Sequence, residues 1–144
     1  MKLIELISCA IGIIILTCNP SFANDQNLDR KEIYELKNEC ARSALEFTKR
    51  VKLCDGQGNY TNHYNLKLNT CFVNMSASCD GKKEHEATSF WSESVVDINE
   101  NKDYANYSGR PGKIDAKPFI CSVGEKACKN LLEFQKLIKL YMEE

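Results

Sequence analysis

The sequence predicts an α+β domain in which an antiparallel meander of three or four strands packs against an N-terminal and a C-terminal helix, stapled by disulfides. Three observations carry this reading. Apolar residues recur at helical steps near both ends of the mature chain, the middle alternates with a period of two, and six of the eight cysteines survive removal of an export signal.

The export signal comes first. Lys2, the apolar run of residues 6–16 and the ending Ser21-Phe22-Ala23 read as a secretory signal peptide. The run is shorter than the roughly 20 residues a membrane-spanning helix needs, and Asn19-Pro20 interrupts it. Small residues at Ser21 and Ala23 place cleavage after Ala23, so residues 1–23 are expected to leave and residues 24–144 to form one domain with no transmembrane anchor. Lipidation at Cys18 would want Gly, Ala or Ser where Thr17 stands. Export is expected to place the domain in an oxidising compartment outside the cytoplasm. Cleavage removes one base, Lys2, and one acid, Glu5, so the formal charge of −1 carries over and steers the protein toward neither nucleic acid nor an anionic membrane.

Ile33, Leu36, Cys40, Ala44, Phe47 and Val51 lay one apolar stripe along a first helix. Asp29 and Glu32 form a candidate capping box, Cys54 extends the stripe, and Gly56 and Gly58 end it. Residues 65–106 then alternate: Leu66, Leu68, Phe72, Val73 and Met75 precede Asp80-Gly81, and Phe90, Val95, Val96 and Ile98 follow it. Asp80-Gly81 reads as a hairpin turn, because both central positions of a type I′ turn need positive φ. Asn99-Glu100-Asn101-Lys102 supplies the next turn and residues 104–107 a third strand. Gly109, Pro111, Gly112 and Pro118 make residues 108–118 a loop, after which Asn130 and Glu133 start a final helix with Leu131, Phe134, Leu137, Ile138 and Tyr141 on its buried side.

The six remaining cysteines allow fifteen pairings. Cys40 and Cys54, fourteen residues apart on one helix, stand roughly 21 Å apart and cannot pair. Cys71 and Cys79, if on one strand, would stand roughly 26 Å apart on the same face. Two staples between helix and strand follow, and direction decides which. A strand parallel to the helix pairs Cys40 with Cys71 and Cys54 with Cys79, and the opposite direction swaps them. Residues 55–70 are long enough to carry the chain back, which favours the parallel arrangement. Cys121 and Cys128, with Gly124 between, would close a small loop. Redox or zinc chemistry lacks its C-x-x-C spacing here, so no metal or cofactor is expected.

The block His63-Tyr64-Asn65-Leu66-Lys67-Leu68-Asn69-Thr70-Cys71-Phe72-Val73 resembles one in a family of small exported proteins of Gram-negative bacteria whose own activity is uncharacterised. Glu39-Cys40-Ala41, residues 97–105, residues 121–129, Glu133-Phe134 and Tyr141-Met142 extend the resemblance over most of the mature chain. It implies a bacterial, periplasmic protein and supports pairing Cys40 with Cys71. It implies no reaction, ligand or functional residue, and Cys54 and Cys79 look like additions to the pattern.

Candidate chemistry is sparse. Tyr60 and Tyr64, with Asn59, Asn62 and Asn65, have the aromatic faces and amides that line sugar or peptidoglycan surfaces, although the same residues build turns and strand entries. His63 pairs in principle with His85 for acid and base chemistry, and His63-Tyr64-Asn65 could instead bond a loop to the first helix. Ser108-Gly109-Arg110-Pro111-Gly112-Lys113 is a basic loop able to carry Arg110 and Lys113 into an acidic cleft, as an inhibitor of a cell-wall hydrolase must. Asn59-Tyr60-Thr61, Asn74-Met75-Ser76 and Asn106-Tyr107-Ser108 match the N-glycosylation triplet, which matters only for a eukaryotic source. The expectation is a non-enzymatic binding protein with a protein or cell-envelope partner, an immunity or inhibitor protein being one form. A small secreted hydrolase or nuclease using His63 or His85, or a structural envelope protein, is the alternative.

Overall fold

The computed structural model describes residues 28–51, 53–54, 58–83 and 86–143. The signal peptide, its cleavage point and His85 lie outside the described residues. The chain forms helix α1 (Arg30–Arg50), strands β1 (Asn59–Asn65), β2 (Thr70–Lys83), β3 (Glu86–Asp97), β4 (Lys102–Gly109), β5 (Ile120–Val123) and β6 (Lys126–Ala127), and helix α2 (Leu131–Met142). The strands form one antiparallel sheet in chain order, β1 through β6. The expected α+β class is present, with six strands rather than three or four.

The capping box on α1 forms as the sequence suggests: Glu32 N–H donates to Asp29 Oδ1 at 2.8 Å and Asp29 N–H to Glu32 Oε2 at 2.9 Å. The helix ends earlier than expected. Val51 is already extended and Cys54 turns the chain at φ 63°, so Cys54 does not lie on the helix. The reason is a mismatch of rise. β2 advances roughly 26 Å from Cys71 to Cys79, whereas fourteen helical residues advance roughly 21 Å, so the chain must leave the helix to bring Cys54 beside Cys79. The disulfides are Cys40–Cys71, Cys54–Cys79 and Cys121–Cys128, with Cα separations of 5.4, 5.5 and 5.1 Å. α1 thus runs in the direction of β2.

Asp80-Gly81 is not a turn. Both residues sit within β2, opposite Ser89 and Thr88, and the ladder continues to Lys83 opposite Glu86. A turn centred on Asp80-Gly81 would set Val73 against Thr88; the observed register sets it against Val96, which is buried over α1. Burial of matched apolar pairs outweighs the local turn preference. Leu66 and Leu68 belong to a turn, not a strand, because β1 ends at Asn65 and β2 begins at Thr70. In this turn Leu68 N–H donates to Asn65 Oδ1 at 3.0 Å, and Asn69 takes φ 51°.

The helices cover opposite faces. Ala44 and Phe47 of α1 pack on Val73, Met75 and Val96, and Cys40 packs with Tyr64 and Cys71. Phe134 and Ile138 of α2 pack on Phe72, Val95, Ala105, Tyr107 and Val123. Consecutive burial of Cys71, Phe72 and Val73 follows, since alternate residues serve different helices. Phe72, Tyr104 and Tyr141 form a three-ring cluster with centroids 5.2–5.3 Å apart. Asn130 caps α2 as expected, accepting from Glu133 N–H at 2.9 Å, while Glu133 reaches back to Lys129 N–H at 2.8 Å. Among the described residues no helix is long and apolar enough to cross a membrane.

Candidate functional site

Strand alternation separates the residues that the sequence groups in β1. Tyr60 and Tyr64 point toward α1, His63 and Asn65 toward α2. Tyr60, 39 % exposed, is the most open of the four. Tyr64 is buried; its hydroxyl donates to Asn69 Oδ1, and desolvation together with the Glu39 carboxylate raises its pKa. Asn65 is buried in a structural role: its amide donates to Leu140 O at 2.9 Å and Tyr141 O at 3.3 Å, which are among the carbonyls that end α2. The sequence leaves open a bond from this block to the first helix; Asn65 bonds the last helix instead. His63 Nε2 is buried without a hydrogen-bond partner, as is Asn74 Oδ1, while the Asn74 amide donates to the buried Glu93 carboxylate at 2.9 Å.

Arg110 and Lys113 lie elsewhere, in the β4–β5 connection. Its backbone is tied at several points. Lys113 N–H reaches Arg110 O at 3.4 Å, Ala116 N–H reaches Lys113 O at 3.2 Å, Phe119 N–H reaches Ser108 O at 2.8 Å, and Leu131 N–H reaches Ile114 O at 3.2 Å. Gly112 takes φ 70°, a conformation that disfavours a side chain. These ties fasten the loop both to β4 and to the start of α2. Under it lies a hollow of about 80 Å³ lined by Trp91, Tyr107, Arg110, Gly112, Lys113, Ile114 and Leu131.

Tyr107 reaches this hollow because Gly109, two residues on along β4, has no Cβ. A methyl there would meet the Tyr107 hydroxyl and lie 2.8 Å from Cζ. Burial and the Glu93 carboxylate raise the Tyr107 pKa, so the hydroxyl stays protonated. Arg110 and Lys113 have no ion-pair partner among the described residues. Ile114, Phe119 and Ile120 of the same connection and Leu132 in the first turn of α2 are 47, 62, 57 and 50 % exposed. Two uncompensated cations beside apolar surface on a fastened loop can recognise an acidic, partly apolar cleft. Among the described residues no three or more His, Cys, Asp or Glu side chains gather to hold a metal.

Sequence reasoning finds Arg110 and Lys113 but misses Trp91, Tyr107 and the exposed apolar residues. Trp91 enters through the register Trp91↔Gly109, which is non-local. Pro118-Phe119-Ile120, apolar and adjoining a polar loop, is the one local signal for the rest. No family model, curated protein or solved structure matches the chain.

Proposed function

We propose that the protein is a non-enzymatic periplasmic binding protein whose 110–120 segment occupies the acidic cleft of a cell-envelope-directed enzyme, as an immunity or inhibitor protein does. The single observation that carries this reading is one fastened segment that holds Arg110 and Lys113, unpaired among the described residues, beside the exposed Ile114, and continues into the exposed Phe119 and Ile120. Arginine and aromatic side chains are the residues that dominate interface energetics, and an enzyme that cleaves glycan with paired carboxylates presents the matching charge. The disulfides and the export signal read from the sequence suit an oxidising compartment. The buried, unpartnered His63 Nε2 favours binding over acid and base chemistry.

The test is inhibition of muramidases with paired-carboxylate clefts by the oxidised protein, residues 24–144, measured on cell-wall suspensions. The expected result is stoichiometric inhibition whose association rate falls with salt and is abolished by the double charge reversal Arg110→Glu with Lys113→Glu. Phe119→Ala should speed dissociation, and His63→Ala with His85→Ala should leave inhibition intact. Absence of inhibition across the panel, or inhibition indifferent to the charge reversal, rejects the reading.

A further inference from the structure

A second recess lies on the other side of the sheet. Leu36, Glu39, Ser43, Glu46 and Arg50 recur at three- and four-residue steps, which puts them in one strip along α1 beside the buried strip of Cys40, Ala44 and Phe47. Opposite this strip stands the turn of residues 98–101, held rigidly: Asn99 and Glu100 N–H donate to the buried Asp97 carboxylate at 2.8 and 3.2 Å, and Ile98 N–H donates to Cys71 O at 3.2 Å. Between them run two hollows of about 300 and 350 Å³ that share Ser43 and Asn99. Together they reach the size range of small-ligand sites.

The charges along this groove are sorted. Glu39 lines the first hollow, with Tyr64 and Asn69, and has no ion-pair partner among the described residues. Arg42 and Arg50 line the second and are likewise unpaired among those residues, whereas Glu46 beside them is neutralised by Lys49 at 3.0 Å. The groove is therefore anionic at one end and cationic at the other, with Phe47 and Ile98 lining the cationic hollow and the hydroxyl of Ser43 and amide of Asn99 where the two hollows meet. From Glu39 to the middle of the Arg42–Arg50 stretch is about seven residues, or roughly 10 Å at the helical rise. Three extended residues span a similar distance.

We propose that this groove binds a short zwitterionic peptide, its ammonium end at Glu39, its carboxylate end at Arg42 and Arg50, and its amides against Ser43 and Asn99. The site is separate from the 110–120 segment and does not depend on it. Tyr64, whose pKa is raised by burial and by the Glu39 carboxylate, lines the first hollow together with Glu39.

The experiment titrates isotope-labelled, oxidised protein (residues 24–144) with trialanine, N-acetyl-trialanine, trialanine amide and inorganic phosphate, following backbone amide shifts. Trialanine should shift Ser43, Asn69 and Asn99, and blocking either end should weaken binding about tenfold, the scale of one charge-assisted contact. Glu39→Gln should abolish the difference between free and acetylated peptide alone, and Arg42→Gln with Arg50→Gln the difference between carboxylate and amide alone. All three side chains are exposed, so the variants should keep the parent spectrum. Equal affinity of the three peptides, shifts confined to other regions, or phosphate binding without a trialanine response overturns the proposal.

Discussion

Asn65 offers the sharpest test of how the two ends of the domain are joined. It is 1 % exposed, donates to Leu140 O at 2.9 Å and Tyr141 O at 3.3 Å, and accepts from Leu68 N–H at 3.0 Å. Asn65→Ala removes these bonds and leaves backbone groups of the β1–β2 turn and the last turn of α2 without this partner. Two good bonds and one long one, each worth about 0.5–1.5 kcal/mol net, plus the cost of unsatisfied partners, give a loss of about 2–4 kcal/mol. In a domain of this length that corresponds to a Tm lowered by about 10 °C. Asn65→Asp sharpens the test, since it keeps the acceptor but sets a carboxylate against two carbonyls at the negative end of α2. At neutral pH it should destabilise more than Asn65→Ala. The excess should shrink as pH falls toward 4, where protonation removes the charge. Thermal unfolding by circular dichroism, with exposed Thr61→Ala as control, measures all three. A Tm loss under about 3 °C for Asn65→Ala, or Asn65→Asp more stable than Asn65→Ala at neutral pH, refutes the assignment of Asn65 as the tie between turn and helix.

Three further outcomes follow from the same geometry. Removing Cys40–Cys71, Cys54–Cys79 or Cys121–Cys128 as a Cys→Ser pair should cost in that order, about 3.7, 3.5 and 2.4 kcal/mol by loop closure over separations of 31, 25 and 7 residues, measured by denaturant unfolding. Gly109→Ala should destabilise by about 1–3 kcal/mol and change the near-ultraviolet dichroism, because the added methyl displaces Tyr107. Tyr64 and Tyr107 have folded pKa values raised above the ordinary 10.0, so each contributes stability that is complete below pH 10.0 and is lost as pH rises through its folded value. Phenolate absorbance should show two of the six tyrosines ionising late, with Tm falling above pH 10.0.

The helices were legible because their signals are local. Asp29 with Glu32, Asn130 with Glu133, and the three- and four-residue apolar steps all act within a few residues. The cysteine pairing was legible in part: spacing left two helix-to-strand arrangements, the length of residues 55–70 favoured the one observed, and the premise that Cys54 lies on the helix did not hold. β1 was not, since Asn59-Tyr60-Thr61-Asn62-His63-Tyr64-Asn65 is polar throughout and becomes a strand only through its ladder with β2. Asp80-Gly81 misled for the converse reason: a strong local preference yields to a register set by Val73 and Val96. At the candidate site Arg110 and Lys113 were visible as charges on a loop rich in glycine and proline. Trp91 arrives from another strand, and no spacing in the chain announces it.

The order of the disulfides along the chain has a consequence for survival among proteases. Cys40 joins Cys71 while Cys54, lying between them, joins Cys79 beyond, so the two closed loops interlock in sequence. Cut the backbone once at any point from Cys40 to Cys79 and at least one bridge still spans the break. The helical layer stays covalently attached to the sheet, and a nicked molecule migrates as one species until it is reduced. Cleavage between Cys79 and Cys121 meets no such bridge, and the two halves are then held together only by the pairing of strands and the packing of α2.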